Sequence, residues 1–237
     1  MTRKELEQGI IMSFAEMIND DGIKLIEKKF TGDHYANFEF FSNEMQYKLT
    51  IVFIKPNFIK AVCYLSISSQ KITGLFNTID NNSSTNTFTL SRININSYLV
   101  AEHSLGIYKT TDEVDFYIDK QPINNQEDLI SIAKDIFFNK VYSVILKDIV
   151  PKTDSLEKID YLFNNLPYVN NEEDKPNWIV YSTFLPEQVL TGTLLAIQLN
   201  RIDKKEIFEK YLNYASKFEN GKKESIDLMR KAIKMYS

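Results

Sequence analysis

Between residues 37 and 68 apolar and polar residues alternate with a period of two, and no helix keeps such a pattern on one side. The stretches "NFEFF", "QYKLTIVFIK" and "FIKAVCYLSIS" are rich in aromatic and β-branched side chains, and Tyr47, Leu49, Ile51 and Phe53 share one face of an extended chain. Asn43 and Glu44 separate the first two runs and "KPN" at 55–57 separates the second from the third. Links that short join antiparallel neighbours. Strand-like text continues in "TFTLSRININ", "SYLVAEH" and "EVDFYID", the last with Val114, Phe116 and Ile118 on one face. Residues 30–119 are therefore expected to form a meander of about five or six strands.

Helical period flanks this region. Thr2 and Glu5 have capping-box spacing, and Leu6, Ile10, Phe14, Met17 and Ile18 recur at helical intervals until "NDDG", with "IKLIEK" expected to resume the helix for a turn. After Pro122 the helical pattern dominates. "NNQEDLISIAKDIFFNKVYSVILKDIV" offers Asn124 and Glu127 as a cap and apolar residues on more than half of its circumference, and Pro151 is expected to end it. Asp154 and Glu157 then open a shorter helix. A polar, proline-bounded loop, "LPYVNNEEDKPNW", precedes three closing helices: Pro186 to Asn200, Asp203 to Phe218, and Lys223 to Tyr236. Strands first and helices afterwards predict an α+β fold: an N-terminal helix, an antiparallel sheet, then a C-terminal helical region. The expected organisation is a helix-plus-sheet subdomain over 1–121 and a mainly helical one over 122–237, packed as one unit.

Composition narrows the chemistry. Apolar residues make up 43% and aromatic residues 13%, enough to build a sizeable core. The formal charge is −4 with both signs interspersed, so no nucleic acid partner is expected. The N-terminal stretch has no uninterrupted apolar core of the signal-peptide kind, and no segment approaches the roughly 20 apolar residues that span a bilayer. A cytoplasmic protein with no membrane partner is expected. The single cysteine, Cys63, fits a buried strand position. His34 and His103 stand far apart with no H-E-x-x-H or C-x-x-C pattern, and the 7 glycines form no phosphate-binding loop, so neither metal nor cofactor is expected.

His103 in "YLVAEHSLGIY" could act with Glu102 or Ser104, but strand neighbours point to opposite faces, and a strand-end histidine before Gly106 is the expected reading. His34, next to Asp33, is expected in a turn entering the first strand. Asp112, Glu113, Asp115 and Asp119 surround "DEVDFYID", where Asp115, Tyr117 and Asp119 read as the solvated side of a half-buried strand. Glu172, Glu173 and Asp174 form a charged loop beside Tyr168, Trp178 and Tyr181, and aromatic anchors ringed by charge are the pattern of a protein-binding patch.

The opening "IIMSFAEMINDDGIKLIEKKF", the aromatic strands after it and the late "GTLLAIQLNRIDKKEIFEKYLNYASKF" resemble, in order of elements, uncharacterised bacterial domain families, some of them associated with polymorphic-toxin immunity. The resemblance implies a non-enzymatic α+β module that binds another protein and occludes it. No functional residue is carried over from it. Tyr168, Glu172, Glu173, Asp174, Trp178 and Tyr181 are the expected partner-binding residues, and no catalytic or metal-binding residue is assigned. The alternative is a small-ligand protein or enzyme with a pocket between sheet and helices, lined by tyrosines, Asp115 and Asp119.

Overall fold

A computed structural model describes residues 1–55, 57–81, 87–104, 116–119, 123–165, 185–215 and 223–237, apart from the side chains at 100–104, 185 and 186. The fold is α+β, with an N-terminal helix, a six-stranded antiparallel sheet and C-terminal helices. In chain order the elements are α1 (Arg3–Met17), β1 (Lys24–Thr31), β2 (Asp33–Ser42), β3 (Met45–Ile54), β4 (Lys60–Ser69), α2 (Gln70–Asp80), β5 (Thr89–Asn94), α3 (Ile95–Ser104) and β6 (Phe116–Tyr117). The long helix α4 starts as α-helix Gln126–Ile132, passes through π-helical Ala133–Tyr142 and Ile145–Ile149, and ends as Val150–Thr153. Helix α5 combines Leu156–Asp160 with a π-helical turn, Tyr161–Asn165. Helices α6 (Leu185–Gln198), α7 (Lys204–Ala215) and α8 (Lys223–Tyr236) complete the chain. The sheet order is β1-β2-β3-β4-β5, and β6 also pairs with β4.

Several expectations change in their detail. "IKLIEK" does not resume the helix but opens β1, because Gly22 (φ 74°) ends a 3₁₀ turn in the left-handed region and Gly32 (φ 78°) turns the chain into β2. β1 pairs with β2 from Lys24↔Glu39 to Thr31↔Asp33, and a bulge between Leu25 and Glu27 together with exposed Lys24, Lys28 and Lys29 guards this outer edge. "SYLVAEH", expected as a strand, belongs to helix α3. Its Asn96 accepts from the Cys63 amide (2.9 Å) and donates to the Ala61 carbonyl (3.2 Å), so one side-chain amide replaces a neighbouring strand on β4. A little further along the same edge, β6 pairs with Lys60 and Ala61. α2 was not anticipated, although Ile72 and Ile79 bury its inner face. In α4 the capping box is Asn125 with Asp128, one residue later than expected, and Pro151 lies in the final turn instead of ending the helix before it. α5 is capped by Ser155, which accepts from the Lys158 amide (3.3 Å).

The chain divides into two compact units. The first comprises Met1–Ser42, Gln46–Ser66 and Ile93–Pro151, and the second Asn43–Met45, Ile67–Arg92 and Lys152–Ser237. In the first unit α1 packs on β1 and on α4. Phe14 of α1 sits at the centre, 5.1 Å from the Phe38 ring and 5.8 Å from that of Phe137, while Phe137 also meets Phe53 edge-on at 6.4 Å. Leu129, Ala133, Phe137, Val141, Ile145, Ile149 and Thr153 form one buried stripe of α4, with Tyr142 buried beside it and Ile130 exposed. In a straight α-helix a four-residue repeat drifts by about 40° per step, and the wider i→i+5 turns offset that drift. Cys63 is buried in β4, and burial pushes its thiol well above the usual range.

In the second unit α6 is the hub, touching α2, α5, α7 and α8. Buried residues run without a break from Gln188 to Ala196, as expected of a helix covered all round. Its hydroxyls are met in two ways: Thr193 donates to the Val189 carbonyl one turn back at 2.8 Å, and Thr191 to the Leu90 carbonyl of β5 at 3.5 Å. Gly192 is required by the close approach of Tyr211, since a Cβ built there would lie 2.2 Å from the phenol oxygen. That oxygen is itself held near the Phe163 carbonyl (3.0 Å) and the Asn164 amide oxygen (2.7 Å), and cannot retreat freely. Gly192→Ala is therefore expected to destabilise the protein by about 1–3 kcal/mol despite the better helix propensity of alanine, and the loss should shrink in a Tyr211→Leu background. Urea denaturation of the four proteins of that cycle measures it.

Candidate functional site

The most constrained chemical grouping of the first unit lies where α1 meets the sheet. Glu7 falls on the apolar stripe of α1 together with Ile10, Ile11 and Phe14, and its side chain is 0% exposed. A carboxylate so buried needs each oxygen met. Arg3, one helical turn earlier, gives its Nε to Oε1 at 2.7 Å and its Nη2 to the Phe53 carbonyl of β3 at 3.2 Å. The other oxygen, Oε2, is met by Nδ1 of His34 on β2, whose side chain is 15% exposed. β2 places His34 opposite Phe30 of β1 and, by the strand's alternation, on the side of Phe38, which faces α1. His34 thus lies within a strand, and not in the turn expected for it. Its Nε2 has no partner among the described residues.

The opposite side of the same sheet is built differently. It carries Lys24, Glu27 and Lys29 of β1, Tyr35, Asn37, Glu39 and Phe41 of β2, and the half-buried Gln46, Lys48, Thr50 and Val52 of β3. Many of these side chains are already tied to one another. Tyr35 donates to Glu27 at 2.5 Å, Asn37 to Glu27 at 2.8 Å, Thr50 to Asn37 at 2.8 Å and Gln46 to Glu39 at 2.5 Å. The bonds from Tyr35 and Asn37 hold the Glu27 carboxyl below its ordinary range, and the same carboxylate raises the Tyr35 phenol. The result is an ordered polar face of mixed charge with Phe41 exposed at one end.

The second unit has its own ionic clamp. Arg201 meets Asp203 with two nitrogens (Nε–Oδ1 2.8 Å, Nη2–Oδ2 2.7 Å), Asp160 with Nη1 (2.5 Å) and Asn165 with the same nitrogen. Asn164 extends the network from Asp160 (2.6 Å) to the Gly192 carbonyl (3.0 Å). Arg201 draws the Asp203 carboxyl below the usual range, and the carboxylates in turn raise the guanidinium. All three nitrogens of the guanidinium are engaged, which makes it a fastening between α5 and the start of α7. Glu44 is a second fastening: it accepts the Leu156 amide at 3.1 Å and pairs with Lys71, which lowers its pKa.

The residues expected from the sequence distribute unevenly. Tyr168, Glu172, Glu173, Asp174, Trp178 and Tyr181 lie outside the described residues, as do Gly106, Asp112, Glu113 and Asp115. Glu102, His103 and Ser104 fall at the end of helix α3, so the strand argument about their directions does not apply. Asp119 accepts the Ile59 amide at 2.6 Å, beside the Ile118-to-Ile59 backbone bond, and so fastens the entry to β4. Among the described residues no three His, Cys, Asp or Glu groups converge as metal ligands, and no described helix is long and apolar enough to cross a membrane. The Arg3–Glu7–His34 grouping was missed, although a charged residue on an apolar helical stripe with a cation four residues before it was readable. Neither a family model, nor a curated protein, nor a solved structure matches the chain.

His34→Ala leaves one oxygen of a buried carboxylate unmet and is expected to cost about 1–3 kcal/mol in urea denaturation. Lys29→Ala, which removes an exposed pair with Asp33 (3.7 Å) and a solvent-screened attraction to Glu27, should cost less than about 1 kcal/mol. For Asp203 the folded pKa lies below the unfolded one, so its stabilisation is complete above about pH 4 and is lost as pH falls through the folded value. Wild type should therefore lose more of its urea midpoint between about pH 6 and pH 3 than Asp203→Asn does.

Proposed function

We propose that this chain is a bacterial protein-binding module, soluble in the cytoplasm, which acts by covering a partner, with immunity to a toxin as the specific role. The observation that carries the reading is the open side of the sheet, where Tyr35, Asn37, Thr50 and Glu27 are hydrogen-bonded to one another before any partner arrives. Side chains fixed in advance lose little conformational freedom on association, so more of the contact energy becomes affinity. Lys24, Lys29 and Lys48 alternate there with Glu27 and Glu39, a pattern that suits a protein surface of mixed charge better than a polyanion. The aromatic and acidic segment with Tyr168, Glu172, Glu173, Asp174, Trp178 and Tyr181 is the second contact proposed, on its sequence pattern alone.

Affinity capture with tagged protein in the native bacterium, read by mass spectrometry and by inspection of neighbouring reading frames, tests the proposal. One stoichiometric partner is expected, with affinity falling at least about tenfold in Tyr35→Ala or Lys48→Glu and in Trp178→Ala. No partner under several lysis conditions would overturn the binding role. A partner retained at full affinity by all three variants would remove both surfaces.

A further inference from the structure

We propose that His34 is a phosphoryl-acceptor site and that Glu7 is its positioning residue. The inference stands independently of the binding role. An imidazole has two distinct nitrogens, and a carboxylate facing one of them fixes which nitrogen carries the proton. Here Glu7, completely buried and held by Arg3 at 2.7 Å, faces Nδ1. The proton is thereby placed on Nδ1 and the in-plane lone pair on Nε2. That nitrogen is without a partner among the described residues, on a side chain with access to solvent. A neutral imidazole so arranged is a nucleophile at one atom.

Two features select the electrophile. Attack leaves positive charge on the ring, and the carboxylate behind Nδ1 is placed to stabilise it, as an orienting carboxylate does for an imidazolium. The Arg3 guanidinium, paired with the other Glu7 oxygen and 33% exposed, offsets the Glu7 charge, so an anionic donor is not repelled by the buried carboxylate. A small acyl phosphate meets both conditions. The Nε2 lone pair attacks phosphorus, the bond from phosphorus to the acyl oxygen breaks, and the carboxylate leaves with that electron pair. The product carries phosphorus on Nε2, while Nδ1 keeps its proton toward Glu7. A divalent metal is a poorer fit for a lone imidazole, since no three ligand groups converge among the described residues.

The test treats the full chain with acetyl phosphate and, separately, with phosphoramidate, and follows intact mass, peptide mapping and phosphorus NMR. His103 serves as an internal comparison. One phosphoryl group is expected on His34, attached at Nε2 and formed at least about tenfold faster than on His103, the lower end of what an orienting carboxylate contributes behind a histidine. Glu7→Gln should lower the His34 rate by a similar factor with circular dichroism unchanged. Should that variant fail to fold, the wild-type ratio of the two histidines and the position of attachment decide alone. No label on His34, equal rates at the two histidines, or attachment at Nδ1 would each overturn the proposal.

Discussion

A carboxylate taken out of water must be met on every side, and Glu7 sets that demand at the contact between the first helix and the sheet. Arg3 satisfies one oxygen from the same helix and reaches on to the Phe53 carbonyl, while His34 satisfies the other from β2. The three groups therefore fix the rotation of α1 about its axis. With Glu7 pinned, Ile10, Ile11 and Phe14 have one way to face the sheet, and the aromatic cluster of Phe14, Phe38, Phe137 and Phe53 follows. Apolar burial drives the contact, being non-directional and large. The ionic group supplies the direction that burial lacks.

The two sides of the sheet consequently hold different kinds of order. Beneath α1 and α4 the order comes from packing, with rings in edge-to-face contact and small residues such as Ala36 and Cys63 where space is short. On the other side it comes from hydrogen bonds among side chains, exposed at Glu27 and half-buried at Tyr35 and Thr50 around the buried Asn37, with Glu27 held ionised by Tyr35 and Asn37. A face ordered in this way costs more to build than a merely solvated one, since long side chains give up rotamer freedom for bonds that water could supply. The edge beside it is closed by a bulge and lysines, which leaves the face and not the edge as the place where another molecule could be accommodated.

Much of this architecture was legible in the residues, and its failures have physical causes. The α+β order, the alternation through β2, β3 and β4, the capping box of Thr2 and Glu5, and the closing helices all declare themselves through period and caps. β1 was obscured because its exposed charges erase the period of two, although Gly22 and Gly32 frame it. α3 is hidden because Tyr98, Leu99 and Val100 favour extended chain locally, whereas the tertiary need to close β4 with Asn96 decides otherwise. α2 carried a readable stripe in Ile72, Leu75, Phe76 and Ile79, diluted by Gly74 and two threonines. The pairing of buried Glu7 with half-buried His34 joins distant parts of the sequence, and only the helical stripe hinted at one partner. The aromatic and acidic segment at 168–181 rests on sequence pattern.

The tautomer of His34 tests the account most directly, because the anchoring of α1 and the reactivity assigned to Nε2 both follow from it. Nitrogen-15 NMR of the imidazole ring in the neutral pH range reads it without any substitution. The account predicts a protonated Nδ1, slow to exchange with solvent, and an Nε2 that carries the lone pair. A ring protonated on Nε2, or one averaging rapidly between the two forms, would contradict it.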